Sequence, residues 1–87
     1  MAFTVTWAPA AERALTGLWL SSRNRTSLSE ASNRIDELLR TSPMTVGESR
    51  TGRCRVLFVD PLGIEFMVFE EDCRVVVFSV WLPVRRM

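Results

Sequence analysis

The sequence predicts an α+β fold: an N-terminal strand, an antiparallel helical hairpin and a three-stranded antiparallel meander. Apolar and polar residues alternate near the N-terminus, and apolar residues then recur with helical spacing in two segments. The last third holds three β-branched and aromatic runs separated by turn residues. Eighty-seven residues suffice for one hydrophobic core, so we expect residues 1–87 to form one domain.

The first strand and helix follow directly from local pattern. Apolar and polar residues alternate with period two from Phe3 to Trp7, as in a half-buried strand. Pro9 suits the first position of a helix, which we expect to end near Ser21. Ala11, Ala14, Leu15 and Leu18 form its apolar face.

The second helix carries the stronger pattern. Ser27 and Glu30 have the spacing of a capping box, and Pro43 follows the predicted end of the helix. Its apolar stripe comprises Leu28, Ala31, Ile35, Leu38 and Leu39. We expect solvated ion pairs at i,i+4 spacing, Glu30 with Arg34 and Asp36 with Arg40.

Three strands are predicted after the loop at 44–52. They are Arg53–Val59, Ile64–Phe69 and Val75–Leu82. Asp60–Gly63 has the residue types of a type I turn, and Glu70–Asp72 forms the second turn.

Placing Val59 opposite Ile64 assigns each side chain to one face of the sheet. The helix-covered face then carries Arg53, Arg55, Leu57, Val59, Ile64, Phe66, Val68, Val75, Val77 and Trp81. The opposite face, here called the open face because no helix covers it, carries Cys54, Val56, Phe58, Glu65, Met67, Phe69, Val76, Phe78 and Val80. Such an apolar face predicts docking of another chain; self-association or cover by the C-terminal tail are the alternatives.

Composition limits the possible chemistry. All 11 basic residues are arginine, and the chain has no lysine, histidine or tyrosine, so the usual general bases are missing. A net charge of +1 gives no bulk attraction to nucleic acid or membranes. We expect a cytoplasmic protein without a cofactor or metal, because no signal peptide or membrane span is apparent and Cys54 and Cys73 are too few for zinc.

Several segments resemble one known family. FTVTWAPAAERAL, RIDELLRTSP, RCRVLFV and IEFMVFEEDCRVVVFSVW are similar to the opening strand and helix, the second helix and the closing strands of the RelE/ParE superfamily of type II toxins. The resemblance covers nearly the whole chain. It implies a plasmid-stabilisation type toxin neutralised by a small antitoxin. RelE-like members cut messenger RNA on the ribosome, whereas ParE-like members poison DNA gyrase.

Three functional hypotheses follow from this resemblance. We expect ParE-like action by binding a target such as gyrase, because the open-face positions that RelE-like enzymes fill with basic residues hold Val56, Phe58 and Glu65. A RelE-like endonuclease and a non-toxic interaction module remain alternatives. The expected partner surface comprises Val56, Phe58, Glu65, Met67, Phe69 and Phe78, and a homodimer through it is also open.

The arginines have two interpretations. In one interpretation they form a basic rim that binds either nucleic acid or an acidic segment of the antitoxin. In the other they are ion-paired or solvated side chains. The residues are Arg50, Arg53, Arg55, Arg85 and Arg86. A one-residue bulge would turn Arg53 and Arg55 to the open face.

Two further side-chain environments are predicted. Glu65 is expected to pair with Arg74 or with a partner's arginine. Trp7, Trp19 and Trp81 are expected to pack in the core.

Overall fold

Two helices pack on one face of a five-stranded sheet in the computed structural model, which describes residues 2–83. The elements are β1 Thr4–Trp7, α1 Pro9–Ser21, α2 Arg25–Thr41, β2 Glu48–Ser49, β3 Cys54–Val59, β4 Leu62–Phe69 and β5 Arg74–Trp81, with a 3-10 turn at Glu70–Asp72. The strand order is β1-β5-β4-β3-β2. The predicted fold class is therefore confirmed, and β2 adds an unpredicted strand at one edge.

β1 is the other edge strand, and it pairs in parallel with β5. The N–H groups of Thr4 and Ala8 donate to the carbonyls of Cys73 and Val77, at 2.9 and 2.8 Å. Two parallel strands must be joined by a long connection, and the helical hairpin is the first part of the connection from β1 to β5. No helix in the described part of the chain is long and apolar enough to cross a bilayer.

The second helix begins earlier than predicted. The carboxamide oxygen of Asn24 accepts a hydrogen bond from the Ser27 N–H at 3.1 Å, so Asn24 is the N-cap and the predicted capping box is wrong. The charges also pair differently, because Arg34 lies 3.8 Å from Glu37, one turn away, rather than against Glu30.

Both helices contribute apolar side chains to one core. The buried members are Ala11, Leu28, Ala31, Ile35, Leu39, Leu57, Leu62, Ile64, Phe66, Val68, Val75, Val77 and Val80. Leu15, Leu18 and Leu38 are half-buried against it, whereas Ala14, predicted on the same face of α1, is exposed. The core therefore joins the sheet to a narrower stripe of α1 than periodicity indicates.

The β3–β4 hairpin is tighter than predicted. Val59 lies opposite Leu62 rather than Ile64, which leaves only Asp60 and Pro61 between the strands. The type I turn prediction is wrong, and the Asp60–Pro61 peptide bond is cis. A shift of two residues keeps every side chain on its predicted face, because successive side chains alternate.

An extra residue in β5 changes the faces near its end. Glu65 lies opposite Ser79 but Phe66 lies opposite Val77, so Phe78 forms a β-bulge. Beyond the bulge Val80 is buried in the core at 7% exposure, and Trp81 lies opposite Gly63 on the open face. The predicted faces of Val80 and Trp81 are therefore wrong.

Candidate functional site

The open face presents three rows of side chains across β3, β4 and β5. From the β4–β5 turn towards the β3–β4 turn, the rows are Cys54–Met67–Val76, Val56–Glu65–Ser79 and Phe58–Gly63–Trp81. Most of these side chains are half-buried, and only Val56 and Gly63 are buried. The face is thus mainly apolar, with one carboxylate near its centre.

Phe58 and Trp81 form the aromatic end of the open face. Their ring centroids are 6.0 Å apart and the rings are perpendicular, an edge-to-face geometry that aromatic pairs favour. Gly63 lies between them, and a Cβ atom there would be 2.8 Å from the Trp81 ring and 3.0 Å from the Phe58 ring. Phe58 is 58% exposed, so this end offers a large aromatic side chain to a partner.

The other predicted partner-surface residues differ in accessibility. Met67, Phe69 and Phe78 are half-buried and leave part of each side chain at the surface. Val56 is only 7% exposed, because it lies between two paired strands, opposite Glu48 on one side and Glu65 on the other. It offers little contact area.

Glu65 is the half-buried carboxylate of the central row. Arg74 does not reach it, because Arg74 lies opposite Phe69 and its guanidinium stacks 5.0 Å from the Phe69 ring centroid. Within residues 2–83 no basic group lies at ion-pair distance from Glu65. A basic group of a partner would offset the cost of covering this charge.

Arg53 is held at the β4–β5 turn. Its Nη1 atom lies 2.9 Å from Glu71 Oε1, and its guanidinium carbon is 5.2 Å from the Phe69 ring centroid. The pKa of the Glu71 carboxyl group lies below its ordinary value. The main cause is a hydrogen bond from the backbone N–H of Glu71, and the Arg53 guanidinium adds to it. Phe69 therefore contacts two arginines, Arg53 and Arg74.

The remaining predicted arginines have separate positions. Arg55 donates to the Val46 carbonyl at 3.2 and 3.0 Å and lines a cleft of about 180 Å³ with Arg53. It remains on the helix-covered side because β3 and β4 pair without a bulge at Arg55 and Phe66. Arg50 lies apart from this cleft and pairs with Glu48 at 3.1 Å. Arg85 and Arg86 lie outside the described residues.

The charged side chains of this site are arginines and carboxylates. Arginine stays protonated at neutral pH, and the chain has no lysine, histidine or tyrosine. Three or more metal-ligand side chains do not come together anywhere in residues 2–83. The site can contact a ligand through the apolar side chains of the open face and through the guanidinium groups beside that face.

A second exposed apolar patch lies at the tip of the helical hairpin. Trp19 is 38% exposed, so its predicted core position is wrong. Arg25 stacks 4.5 Å from the Trp19 ring centroid, and the indole N–H donates to Ser29 at 3.2 Å. Leu20 beside it is exposed, and its position off the apolar stripe of α1 is the sequence signal that identifies this patch.

The sequence has no match among protein-family models or among curated proteins. Solved structures with the same fold do exist. The RelBE complex of Mycobacterium tuberculosis matches with a TM-score of 0.78 and 18% identity over 98% of this chain and 95% of that one. The intact Escherichia coli RelBE toxin–antitoxin complex matches with a TM-score of 0.67 and 22% identity over 97% and 100%.

A ParDE system gives a comparable match. The Pseudomonas aeruginosa ParDE structure has a TM-score of 0.70 and 13% identity over 95% of this chain and 98% of that one. The structural similarity to the RelBE and ParDE structures thus spans nearly the full length of this chain. It includes the N-terminal strand, the helical hairpin and the antiparallel meander. The chain therefore has the fold of the RelE/ParE superfamily of toxins.

Proposed function

We propose that this chain is the toxin of a type II toxin–antitoxin system and that a small antitoxin neutralises it by covering the open face. The observation that carries this proposal is the exposed aromatic end of that face, where Phe58 is 58% exposed beside Trp81. The likeness to toxins solved in RelBE complexes supports it. An apolar antitoxin segment would bury this surface, and a basic residue of that segment would pair with Glu65.

The toxin acts by binding, with DNA gyrase as the proposed target, as ParE-like members do. The lack of a histidine, lysine or tyrosine supports this mode over RNA cleavage, because none of these is available to deprotonate a ribose hydroxyl. The carboxylate of Glu65 at the centre of the open face adds to this argument, since a phosphodiester is anionic.

A ribosome-dependent messenger RNA endonuclease is the second candidate, and Arg53 favours it. Its side chain is 48% exposed and lies beside an aromatic ring, so it combines a phosphate-binding group with a stacking surface. An incoming phosphate would have to displace Glu71 from Arg53. Because a phosphate would have to compete with Glu71 for Arg53, we rank the endonuclease function below gyrase binding.

Two assays on the purified chain separate these functions. In plasmid supercoiling by DNA gyrase we expect inhibition that rises with the concentration of the chain. When the chain is added to ribosomes that carry messenger RNA, we expect primer extension to detect no new cuts in that RNA. Cuts that disappear in Arg53→Ala, while gyrase keeps its activity, would establish the endonuclease instead. Inactivity of the folded chain in both assays would favour the non-toxic interaction module.

A further inference from the structure

A cavity at the tip of the helical hairpin lies between α1 and α2 and is open to solvent. Its volume is about 190 Å³, and its walls are Leu15, Thr16, Trp19, Leu28, Ser29 and Ser32. Leu15, Trp19 and Leu28 supply most of its apolar surface. A cavity of about 150 Å³ is large enough to hold benzene. The cavity at the tip can therefore take one aliphatic or aromatic side chain.

Trp19 is held in place as one wall of this cavity. Its indole N–H donates to Ser29 at 3.2 Å, and the Arg25 guanidinium lies 4.5 Å from its ring centroid. Arg25 is itself fixed, because its Nε and Nη2 atoms donate to the backbone carbonyls of Trp19 and Leu20 at 3.1 and 3.2 Å. A wall that is ordered before binding reduces the entropy cost of binding.

The charge around the tip is positive. Residues 13–29 contain three arginines, Arg13, Arg23 and Arg25, and no aspartate or glutamate. Among the ion pairs of the described residues none involves these arginines. Arg23 and Arg25 are both exposed and lie on either side of Asn24, the N-cap of α2. A carboxylate placed beside the cavity would therefore meet guanidinium groups that no acidic side chain neutralises.

We propose that the hairpin tip is a protein-binding surface for an acidic amphipathic segment of a partner. One apolar side chain of that segment enters the cavity, and the carboxylates flanking it pair with Arg23 and Arg25. Leu20, which is 60% exposed, adds apolar contact beside the cavity. Both helices lie on the sheet face opposite the open face, so a partner at the tip leaves the open face accessible.

The charge and the cavity favour an acidic protein segment over nucleic acid. Affinity for nucleic acid comes mainly from many phosphate contacts, whereas the net charge of the chain is only +1. The chain's own acidic turn, Glu70–Asp72, is a poorer match in a second copy. The apolar residue before that turn is Phe69, whose ring is stacked against Arg53 and Arg74 and is not available to enter the cavity.

A synthetic peptide tests the proposed preference for acidic segments. The peptide is helical, has about 15 residues, and carries two leucines one turn apart with glutamates around them. The NMR signals of the indole N–H groups of Trp7, Trp19 and Trp81 report where it binds, and Trp19→Phe assigns the signal of Trp19. We expect the peptide to shift the Trp19 signal and to leave that of Trp81, on the open face, unchanged. The same peptide with lysine in place of glutamate should bind at least about tenfold more weakly.

Two variants of the chain test the two parts of the site separately. Arg23→Glu reverses one charge and should weaken binding of the glutamate peptide at least about fivefold. Thr16→Phe places a ring at the cavity and should weaken binding at least about tenfold, because the leucine can no longer enter. Both positions are exposed, so we expect both variants to fold.

Arg34→Glu is the matched control for the charge reversal. Arg34 lies nine residues after Arg25, on the opposite face of α2, and its own ion pair with Glu37 is exposed. This variant should bind the glutamate peptide like the parent. A loss in Arg34→Glu as large as that in Arg23→Glu would show that net charge, rather than the tip, attracts the peptide.

Several results would overturn the proposal. They are an unchanged Trp19 signal with the glutamate peptide at about 1 mM, equal affinity for the lysine peptide, and parental affinity in both Arg23→Glu and Thr16→Phe. A shift confined to Trp81 would place the peptide on the open face instead. Tighter binding of a single-stranded oligonucleotide of equal length at Trp19 would assign the tip to nucleic acid. A Trp19 signal that shifts with the concentration of the chain alone would assign it to a second copy.

Discussion

Arg53 and Glu71 lie 2.9 Å apart, and their ion pair joins the start of β3 to the turn between β4 and β5. Of the two interpretations that the sequence allows for Arg53, a basic rim or an ion-paired side chain, the structure shows the ion pair. Both side chains are about half exposed, so the pair is exchangeable rather than buried. A ligand that takes Arg53 must compete with Glu71.

The titration of Glu71 reports this contact. Its pKa is lowered from the ordinary value of 4.5, first by its own backbone N–H and then by Arg53. We expect Arg53→Gln to raise the pKa of Glu71 but to leave it below 4.5, as measured by carbon NMR of the carboxyl group. An unchanged pKa in the variant would show that the ion pair does not persist in solution.

The pH dependence of stability has a defined sign. Because the folded state lowers the pKa of Glu71, this carboxylate stabilises the fold above its ordinary pKa of 4.5. The contribution is lost as the pH falls through the lower pKa of the folded state. Glu71→Gln should therefore flatten the fall in the thermal midpoint below pH 4.5. Identical pH profiles for variant and parent would contradict this assignment.

Two neighbouring leucines in α2 test the core. Leu39 is fully buried, whereas Leu38 is half-buried. Leu39→Ala should cost about 2–5 kcal/mol in the free energy of unfolding, and the same change at Leu38 should cost less. Urea denaturation measures both. Equal losses at the two positions would show that the orientation of α2 is wrong.

Two glycines give opposite expectations for the same substitution. Gly47 has φ +70°, and a Cβ atom there would clash with the Val56 carbonyl oxygen. Gly47→Ala should lower the thermal midpoint through backbone strain of about 1–3 kcal/mol. Gly17 lies in α1 with open space around it, so Gly17→Ala should stabilise the chain by about 1 kcal/mol. Destabilisation of similar size in both variants would contradict the loop geometry at Gly47.

The exposed aromatic end can be altered with little effect on folding. Phe58→Ser removes a ring that is 58% exposed, so the thermal midpoint should stay close to that of the parent. Binding of a dye specific for apolar surface should decrease. Phe66→Ala is the contrasting change, because Phe66 is fully buried and its truncation should cost about 3–5 kcal/mol. A large stability loss in Phe58→Ser would place this ring in the core.

Local pattern in the sequence predicts both helices, every strand of the described residues except β2, and the faces of the β3–β4 pair. The predicted turn is wrong, but the predicted faces are correct. Val59 lies opposite Leu62 instead of Ile64, and a register difference of two residues leaves each side chain on the same face. The β5 bulge shifts the register by one residue instead. Nothing in the run around Phe78 signals it, so the faces of Val80 and Trp81 could not be predicted.

Side-chain partners were harder to predict than elements. Asn24 and Ser27 are both good N-cap residues, and only the path of the chain decides between them. Arg55 bonds to the Val46 carbonyl, a contact that depends on where the loop before β2 returns to the sheet. The pairing of β1 with β5 likewise depends on long-range packing.

Viable counts after induction of the chain in cells without its antitoxin test the toxin proposal most directly. The matched control is Phe66→Ala, which should not fold stably, expressed from the same promoter. We predict that the parent chain lowers the viable count relative to this control and that co-expression of the cognate antitoxin restores it. Equal counts for the two, while folded parent protein accumulates in the cells, would contradict the assignment of this chain as a toxin.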